Sequence, residues 1–451
     1  MPFQSINPYN QELIASHESL DDAAIENTLQ RSEAAFRSWR KVPYEERAAA
    51  LNKMANLLRQ QKQELALTAT REMGKTLAEA VSEVEKCAWV CEYYAENAAS
   101  FLQDEVIKTD ASKSFVRYDP IGTVLAIMPW NFPYWQVYRF AAPAVMAGNT
   151  GLLKHAPNVL GCANHMKRLF LEAGFPKGVF DTLHVEVDKM ENIISDQRIK
   201  AVTLTGSGRA GRSVAALAGK HLKKTVLELG GSNGFVVLSD ADLDAAIDTG
   251  MQARFMNAGQ SCIAAKRFII HKDLAEAFEE RILARIKALK YGNPEDPDTD
   301  LGPLARPDLA EQLEKQVKES VKAGALLVHG GGRDGALFAP SLLKNIQPGM
   351  PAFDEELFGP VLSLMVADSD EEAIKLANST SFGLGVSIMT GDPERALALA
   401  SETEDGAVFI NELVKSDPRL PFGGTKESGY GRELSHHGIR EFVNAKTVYV
   451  K

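Results

Sequence analysis

Between residues 121 and 230, short apolar segments alternate with longer segments whose apolar residues recur at helical spacing. The short segments are rich in Val, Ile, Leu and Thr, a composition typical of buried strands. The pattern predicts strands at 124–128, 150–155, 179–184, 200–205 and 225–229. Because helical segments separate these strands, we expect parallel βαβ units and an α/β fold with a doubly wound, Rossmann-like sheet.

The segments on either side of this region have different patterns. Residues 1–101 contain a loose segment, Asn7-Pro-Tyr-Asn-Gln-Glu, followed by amphipathic helices, and we group them with 121–230 as a first domain. Residues 231–435 again alternate between apolar and amphipathic segments, which predicts a second α/β domain. Residues 102–120 and 436–451 each contain a short strand-like pattern, so we expect them to form a small β arm.

The composition limits the possible partners. The formal net charge of −10 and the dispersed Lys and Arg residues disfavour nucleic acid, and they mean that an anionic substrate would need a local cation. No apolar run is long enough to span a membrane, so no membrane partner is expected. The N-terminus lacks the basic start and apolar core of a signal peptide, and we therefore expect a cytoplasmic protein.

The four cysteines are predicted to be free thiols, because a long chain without an export signal rarely uses disulfides. Cys87 and Cys91 are one helical turn apart, but no His or further Cys nearby completes a metal site, so we interpret them as core residues. Cys262 differs, since it follows Asn257-Ala-Gly-Gln-Ser, whose small residues leave room for another molecule. It is a candidate nucleophile, and the alternative is an inert buried thiol.

Glu228 is the candidate carboxylate, and the residues alone allow it two roles. It stands before two glycines, as a general base beside a ligand would. It also follows Gly206-Ser-Gly-Arg-Ala-Gly211, which matches the dinucleotide fingerprint between a strand and a helix, at about the distance of the usual ribose ligand. A helix N-terminus can bind pyrophosphate, so we predict a dinucleotide site and leave the role of Glu228 open.

Several separated motifs resemble the aldehyde dehydrogenase superfamily in order and spacing, along essentially the entire chain. They are Pro129-Trp-Asn-Phe-Pro133, Thr205-Gly-Ser207 with Gly211, Glu228-Leu-Gly-Gly231, Gly259-Gln-Ser-Cys262, Glu356-Leu-Phe-Gly-Pro360 and Pro421-Phe-Gly-Gly-Thr-Lys-Glu-Ser-Gly429. The resemblance implies that the first domain binds NAD or NADP and that the second is catalytic. It also implies that the arm joins subunits into a homodimer or homotetramer.

The resemblance further implies covalent catalysis. Cys262 would attack the aldehyde carbon, and the side-chain amide of Asn131 together with the backbone N–H of Cys262 would stabilise the oxyanion. After hydride transfer to the nicotinamide, Glu228 would activate the water that hydrolyses the thioester. By resemblance, therefore, Glu228 is the general base and not the ribose ligand.

Cofactor contacts are implied at residues around the same cleft. Ser207 would contact a phosphate, Lys154 the adenosine ribose and Glu356 the nicotinamide ribose. The other implied cofactor residues are Trp130, Gly206, Gly211, Leu229, Gly230 and Phe358.

Pro157 departs from the family pattern, because NAD-preferring members often have Glu at this position to hold the ribose 2′-hydroxyl. Pro157 neither repels nor binds a 2′-phosphate, so the choice between NAD and NADP stays open.

Arg139 is the local cation that an anionic substrate requires. It stands where many relatives have an aromatic residue and the succinate-semialdehyde dehydrogenases have Arg. A guanidinium can bind a carboxylate through two hydrogen bonds, so we predict that the substrate is a carboxylated aldehyde, with succinate semialdehyde as the first choice. The alternative is an ordinary helix arginine paired with a surface acid.

The short segment 412–420 contains two further cations, Lys415 and Arg419. We interpret both as solvated loop residues.

Other functions were weighed against this one. An aldehyde dehydrogenase for another aliphatic or aromatic aldehyde would keep the same catalytic residues. A CoA-acylating relative would pass the thioester to CoA, but such members generally lack the base at Glu228. A non-catalytic structural relative is disfavoured because Cys262, Asn131 and Glu228 occur together.

Overall fold

The computed structural model describes residues 2–451, and five strands of the predicted first domain form a six-stranded sheet together with Gly429–Tyr430. The strands across this first sheet are, in order, Gly429–Tyr430, Lys224–Glu228, Ile199–Thr205, Thr123–Met128, Thr150–His155 and Phe180–Thr182. All neighbours are parallel except Gly429–Tyr430, which pairs antiparallel with the strand that ends at Glu228. The predicted α/β fold with a Rossmann-like sheet is confirmed.

Helices cover both faces of this first sheet. Alternate residues of its strands therefore pack into different hydrophobic cores. Val124 and Ala126 pack into one core, whereas Leu125 packs into another. The helices that accompany the sheet are Asp22–Trp39, Tyr44–Gln60, Lys62–Met73, Leu77–Phe101, Trp135–Ala147, Leu160–Glu172, Met190–Ser195 and Gly208–Lys220, with 3₁₀ turns at Pro157–Val159 and Val187–Lys189.

A second sheet has seven strands and confirms the second α/β region. Its strand order is Leu326–His329, Ser341–Lys344, Val361–Ala367, Ala265–His271, Asn233–Val237, Val386–Met389 and Val408–Ile410. Only the first pair is antiparallel. The helices of this region are Leu243–Phe255, Lys272–Ala288, Pro307–Lys322, Pro351–Asp354, Asp370–Asn378 and Pro393–Ala400, with a 3₁₀ turn at Met256–Gly259.

A third sheet contains the two arm segments. Val443–Val450 pairs antiparallel with Lys113–Pro120 over their whole length, and Glu105–Val106 adds a short third strand. The helix Ser435–Glu441 precedes the last strand. The C-terminal strand therefore pairs with the arm of its own chain. The domain boundaries stay a prediction, and Gly429–Tyr430 belongs to the first sheet although it lies within 231–435.

Three short antiparallel pairs complete the strands. Phe382–Gly383 pairs with Thr425–Lys426, and Arg333–Asp334 pairs with Leu337–Phe338. Phe3–Ile6 pairs with Leu13–His17, two strands that the sequence analysis did not predict, and the predicted loose segment 7–12 forms the turn between them. The side chain of Asn7 accepts a hydrogen bond from the N–H of Tyr9, a local turn that connects the two strands.

The parallel strands place the sequence motifs at one edge of the first sheet. Met128 lies opposite His155, and Thr205 lies opposite Glu228, so these strands end in register. Ligands of open α/β sheets bind at the carboxyl ends of the strands. Across residues 2–451, no helix has both the length and the apolar character needed to cross a bilayer.

Candidate active site

A cavity of about 980 Å³ lies beside Cys262. Its wall comes from one face of the helix Leu77–Phe101, the start of the helix Trp135–Ala147, the loop 256–263 and the segment 412–422. Cys262 is half-buried, whereas Cys87, Cys91 and Cys162 are buried. Cys262 is therefore the cysteine positioned to react with a molecule in this cavity.

The loop that carries Cys262 has an unusual backbone. Asn257 and Ala258 have φ values of 55° and 51°, in the left-handed region that non-glycine residues rarely adopt. Gly231 is also required here, because a Cβ added to it would lie 2.6 Å from the carbonyl oxygen of Cys262. A Cβ added to Gly259 would lie 2.4 Å from the carbonyl oxygen of Gly359. The small residues of both motifs thus allow the loop to pack against neighbouring backbone.

Buried amides connect Asn131 to this loop. The Nδ2 of Asn131 donates to the carbonyl oxygen of Gln260 at 3.1 Å. The Nδ2 of Asn257 donates to the carbonyl oxygen of Asn131 at 2.8 Å. One N–H of the Asn131 amide is used in this network, and its second N–H can serve an oxyanion.

Two carboxylates on one face of the helix Leu77–Phe101 hold the cavity wall in place. Glu79 accepts a hydrogen bond from the backbone N–H of Asn257. Glu83 accepts hydrogen bonds from the N–H groups of Tyr134 and Trp135 at 2.8 and 2.9 Å. The loop of the candidate nucleophile and the start of the next helix are thereby fixed to the same helix.

Glu228 is almost fully buried at the end of its strand. Neither carboxylate oxygen has a hydrogen-bond partner among the described residues, and the side chain is 2% exposed. Burial raises its pKa well above the usual range, and the nearby carboxylate of Glu433 raises it further. The charges of Arg139 and Arg432 act in the opposite direction. A carboxylate in this environment is a stronger base than a solvated one.

Arg139 lines the cavity, but its charge already has a partner. Its guanidinium forms an ion pair with Glu433, and the two side chains are 2% and 5% exposed. It also lies 4.6 Å from the ring centroid of Phe422 and donates to the hydroxyl of Thr205 at 3.4 Å. The acid beside Arg139 is thus a buried one, in contrast to the surface acid considered from the sequence.

The thiol of Cys262 has an unfavourable environment for ionisation in the protein alone. Burial raises its pKa to about 11, while the positive charges of Arg139 and Lys266 lower it. The negative charges of Glu356 and Glu228 add to the increase. The thiolate, which is the reactive form, is therefore scarce at neutral pH.

Lys266 connects the Cys262 loop to Glu356. Its ammonium donates to the carbonyl oxygens of Ser261 and Cys262 at 2.8 and 2.9 Å and lies 3.2 Å from the carboxylate of Glu356. Glu356 also accepts a hydrogen bond from the N–H of Gly231 at 3.1 Å. The residue predicted to hold the nicotinamide ribose is thus fixed beside the candidate nucleophile.

The other predicted cofactor residues lie around the same sheet edge. The rings of Trp130 and Phe358 meet edge to face, with centroids 5.8 Å apart. A Cβ on Gly230 would lie 2.4 Å from Oε2 of Glu356, so glycine is needed for this close approach. A Cβ on Gly211 would lie 2.6 Å from Cδ2 of Leu229, which shows that these two residues pack against each other.

The turn at Gly206 and Ser207 suits a phosphate group. Ser207 is exposed and caps the helix Gly208–Lys220, with its hydroxyl accepting from the N–H of Ala210 at 3.3 Å. The first N–H groups of such a helix attract anions. Lys154 is half-buried at the end of its strand, where burial lowers its pKa, and Pro157 begins a 3₁₀ turn. These residues are compatible with the predicted dinucleotide site.

Comparison with known proteins agrees with this arrangement. The sequence model described as "Aldehyde dehydrogenase family" matches residues 1–448. The chain belongs to the aldehyde dehydrogenase family. It is 48% identical to a Synechocystis protein named probable succinate-semialdehyde dehydrogenase (NADP+) and 47% identical to succinate-semialdehyde dehydrogenase (NADP+) 1 of Mycobacterium tuberculosis. Both alignments cover 100% of each chain.

A solved structure of a relative has nearly the same fold. The succinic semialdehyde dehydrogenase of Streptococcus pyogenes, in complex with NADP+, superimposes with a TM-score of 0.97 at 39% identity. The alignment covers 99% of each chain. This aldehyde dehydrogenase thus shares its fold with a relative whose structure was determined experimentally.

The sequence analysis missed several residues of this aldehyde dehydrogenase cavity. Lys86 and Ser416 line it, and Glu433 is the partner of Arg139. Glu79, Glu83 and Lys86 do share a helical face in the sequence, but that spacing also describes an ordinary solvated helix. Lys415 lines the cavity and is paired with Glu412, whereas Arg419 is paired with Asp417 and is mostly exposed.

Proposed function

We propose that this chain oxidises succinate semialdehyde to succinate with a nicotinamide dinucleotide, preferentially NADP+. One observation carries the proposal: the candidate nucleophile Cys262 lies in a cavity whose wall also contains two cations, the buried Arg139 and the half-buried Lys86. A neutral aldehyde has no need of such charges, whereas a carboxylated aldehyde does. The names of the relatives support the same substrate and cofactor.

In the first step, the thiolate of Cys262 adds to the aldehyde carbon and forms a thiohemiacetal. The second N–H of the Asn131 amide and the backbone N–H of Cys262 stabilise the oxygen as it becomes negative. Asn131 needs little reorganisation for this task, because its amide is already oriented by the carbonyl oxygen of Gln260. Preorganised donors of this kind typically accelerate the reaction by about 10²–10³ each.

The cofactor would be held by Ser207 and the helix N-terminus at its phosphates, by Lys154 near its adenosine, and by Glu356, Trp130 and Phe358 at its nicotinamide end. When bound, the dinucleotide supplies the hydride acceptor that converts the thiohemiacetal into a thioester. Pro157 places no carboxylate near the adenosine ribose, and Lys154 has no carboxylate within 4.0 Å of its Nζ in residues 2–451. Glu186 acts on Lys154 only at longer range, and a cation that is not held in an ion pair suits the additional phosphate of NADP+.

Glu228 then acts as the general base. It takes a proton from water, which attacks the thioester carbon and releases succinate and the Cys262 thiol. The raised pKa of Glu228 strengthens it as a base, although it must be deprotonated to act. Deacylation should therefore accelerate with pH up to the pKa of this carboxyl.

Initial rates test the proposal. Succinate semialdehyde should give a higher kcat/KM than butanal, which has the same carbon chain without the carboxylate, and NADP+ should give a higher value than NAD+. The Cys262→Ala variant should have no activity. A preference for uncharged aldehydes would favour the alternative substrate class, and acyl-CoA formation in the presence of CoA would favour the acylating one.

We also propose a homodimer or homotetramer joined through the third sheet. Its strands Lys113–Pro120 and Val443–Val450 keep exposed residues such as Tyr449 and Val450 at the surface, where a second copy could cover them. Light scattering that shows a monomer would contradict this assembly.

A further inference from the structure

The helix Leu77–Phe101 presents a lysine to the substrate cavity. Lys86 lies on the same face as Glu79 and Glu83, and its side chain lines the cavity. Its ammonium donates a hydrogen bond to the hydroxyl of Ser416 at 2.9 Å and lies 4.4 Å from the ring centroid of Trp135. These contacts orient the ammonium without neutralising its charge.

Four cations line the cavity, and three of them have a carboxylate partner. Arg139 pairs with Glu433, Arg285 with Asp248 at 2.5 Å and Lys415 with Glu412 at 2.6 Å. For Lys86, the part of the chain from residue 2 to 451 places no carboxylate oxygen within 4.0 Å of Nζ. A half-buried charge without a counter-ion is unfavourable, so this site is favourable for an anion.

The acids nearest to Lys86 are occupied elsewhere. Glu83 forms an ion pair with Lys75 and accepts the N–H groups of two backbone residues. Asp417 is paired with Arg419 at 2.6 Å. Neither carboxylate can turn to Lys86 without leaving these partners.

We propose that Lys86, with the Ser416 hydroxyl beside it, binds the carboxylate at the far end of the substrate. Arg139 then has a different main task, which is to hold Glu433, and it contributes its charge to the cavity at longer range. This inference rests on the proposed function, since it requires a carboxylated aldehyde. It assigns substrate specificity to a residue on the helix Leu77–Phe101.

A pH dependence follows from this assignment. Burial lowers the pKa of Lys86 to about 8, and the charge of Arg139 lowers it as well. Cys87, Asp417 and Glu83 have smaller effects in the opposite direction. Lys86 therefore loses its positive charge as the pH rises through about 8, whereas a guanidinium stays charged.

Selectivity can be measured as the ratio of kcat/KM for succinate semialdehyde to kcat/KM for butanal. Both substrates use Cys262 and Glu228, so the titration of these groups cancels in the ratio. The ratio should decrease between pH 7 and pH 9 in the wild-type protein. In Lys86→Met it should be low and independent of pH.

The size of the effect follows from the loss of a charge-assisted hydrogen bond. Lys86→Met should lower kcat/KM for succinate semialdehyde by roughly 10- to 100-fold, mainly through KM, and leave butanal within about threefold. Lys86→Arg should keep most of the selectivity that Lys86→Met loses. In Lys86→Arg the selectivity ratio should begin to decrease only at higher pH, because the guanidinium keeps its charge. Lys415→Met is the matched control, because Lys415 lines the same cavity but already forms an ion pair with Glu412. The selectivity of the Lys415→Met variant should equal that of the wild type.

The outcomes separate the two proposals. If the wild-type protein itself prefers butanal, the proposed function fails. If the wild type prefers succinate semialdehyde and Lys86→Met keeps that preference, the role of Lys86 is wrong. An equal loss for both substrates in Lys86→Met and Lys86→Arg would also overturn it, because that result indicates a structural role only.

Discussion

Glu433 binds Arg139 and at the same time raises the pKa of Glu228. The charge of Arg139 acts on both carboxyls in the opposite direction, and it also lowers the pKa of Cys262. A single buried ion pair therefore influences the nucleophile and the base of the proposed reaction. Arg139 therefore influences the electrostatics of both reacting groups.

Removal of Arg139 should destabilise the fold. Arg139→Met leaves Glu433 buried without its counter-ion, which we expect to lower the free energy of unfolding by about 3–5 kcal/mol. Adding Glu433→Gln removes the unpaired charge, so the double variant should recover part of the loss. Urea denaturation of the two single variants and the double variant, at one protein concentration, measures this coupling. Strictly additive changes would show that the pair contributes no net interaction.

Replacement of the base should separate the two halves of the reaction. Glu228→Gln can still form the thioester on Cys262 but cannot activate water. We expect one burst of reduced cofactor per site, followed by a steady rate at least about 100-fold below wild type. Stopped-flow absorbance measures the burst, and mass spectrometry identifies the acyl group on Cys262. Absence of a burst would show that Glu228 is also needed earlier, to activate the thiol.

The thiol of Cys262 should react slowly in the protein without cofactor. Its pKa of about 11 is above that of an ordinary cysteine, so only a small fraction is thiolate at neutral pH. Because the thiolate is the reactive form, the rate of alkylation by iodoacetamide should increase roughly tenfold per pH unit between pH 7 and pH 10. Arg139→Met should slow it further at each pH, since a positive charge is removed.

A control identifies the reacting residue in that experiment. Cys262→Ala should leave Cys87, Cys91 and Cys162 unmodified on the same time scale, because all three are buried. A rate in the wild type that is already constant near pH 7 would contradict the raised pKa.

Lys154 and Pro157 should determine the choice of cofactor. Lys154→Ala should raise the KM for NADP+ by roughly 10- to 100-fold and that for NAD+ much less, because only NADP+ carries the additional phosphate. Pro157→Glu should move the preference towards NAD+, since its carboxylate repels the phosphate and can accept from a ribose hydroxyl. Rates with the two cofactors in parallel test both variants. Equal changes for NAD+ and NADP+ would place the phosphate elsewhere.

The sequence was informative wherever function depends on a local motif. The strand before Trp130 and Asn131, and the strand that ends at Glu228, follow from short apolar segments, and parallel pairing then brings their ends to one sheet edge. The first hairpin was missed because a turn built by the Asn7 side chain leaves little periodicity.

The polar partners of the site were not predictable in the same way. Glu433 reaches Arg139 only because Gly429–Tyr430 adds to the edge of the first sheet, a pairing between distant parts of the chain. Lys86 has no distinguishing pattern within its helix. Its significance depends on which cavity cations already have partners, and that follows from three-dimensional packing alone.

The edge strand Gly429–Tyr430 has a consequence for biosynthesis. It is joined to the strand of the proposed base by the hydrogen bond between Thr225 and Tyr430, residues that are 205 positions apart. At the usual speed of a ribosome, about 10–40 s separate the synthesis of these two segments. During that interval the nascent chain has Glu228 on an open sheet edge without Glu433. The reactive centre therefore becomes complete only after residues 429–433 have been synthesised, and a chaperone that shields this edge would assist folding.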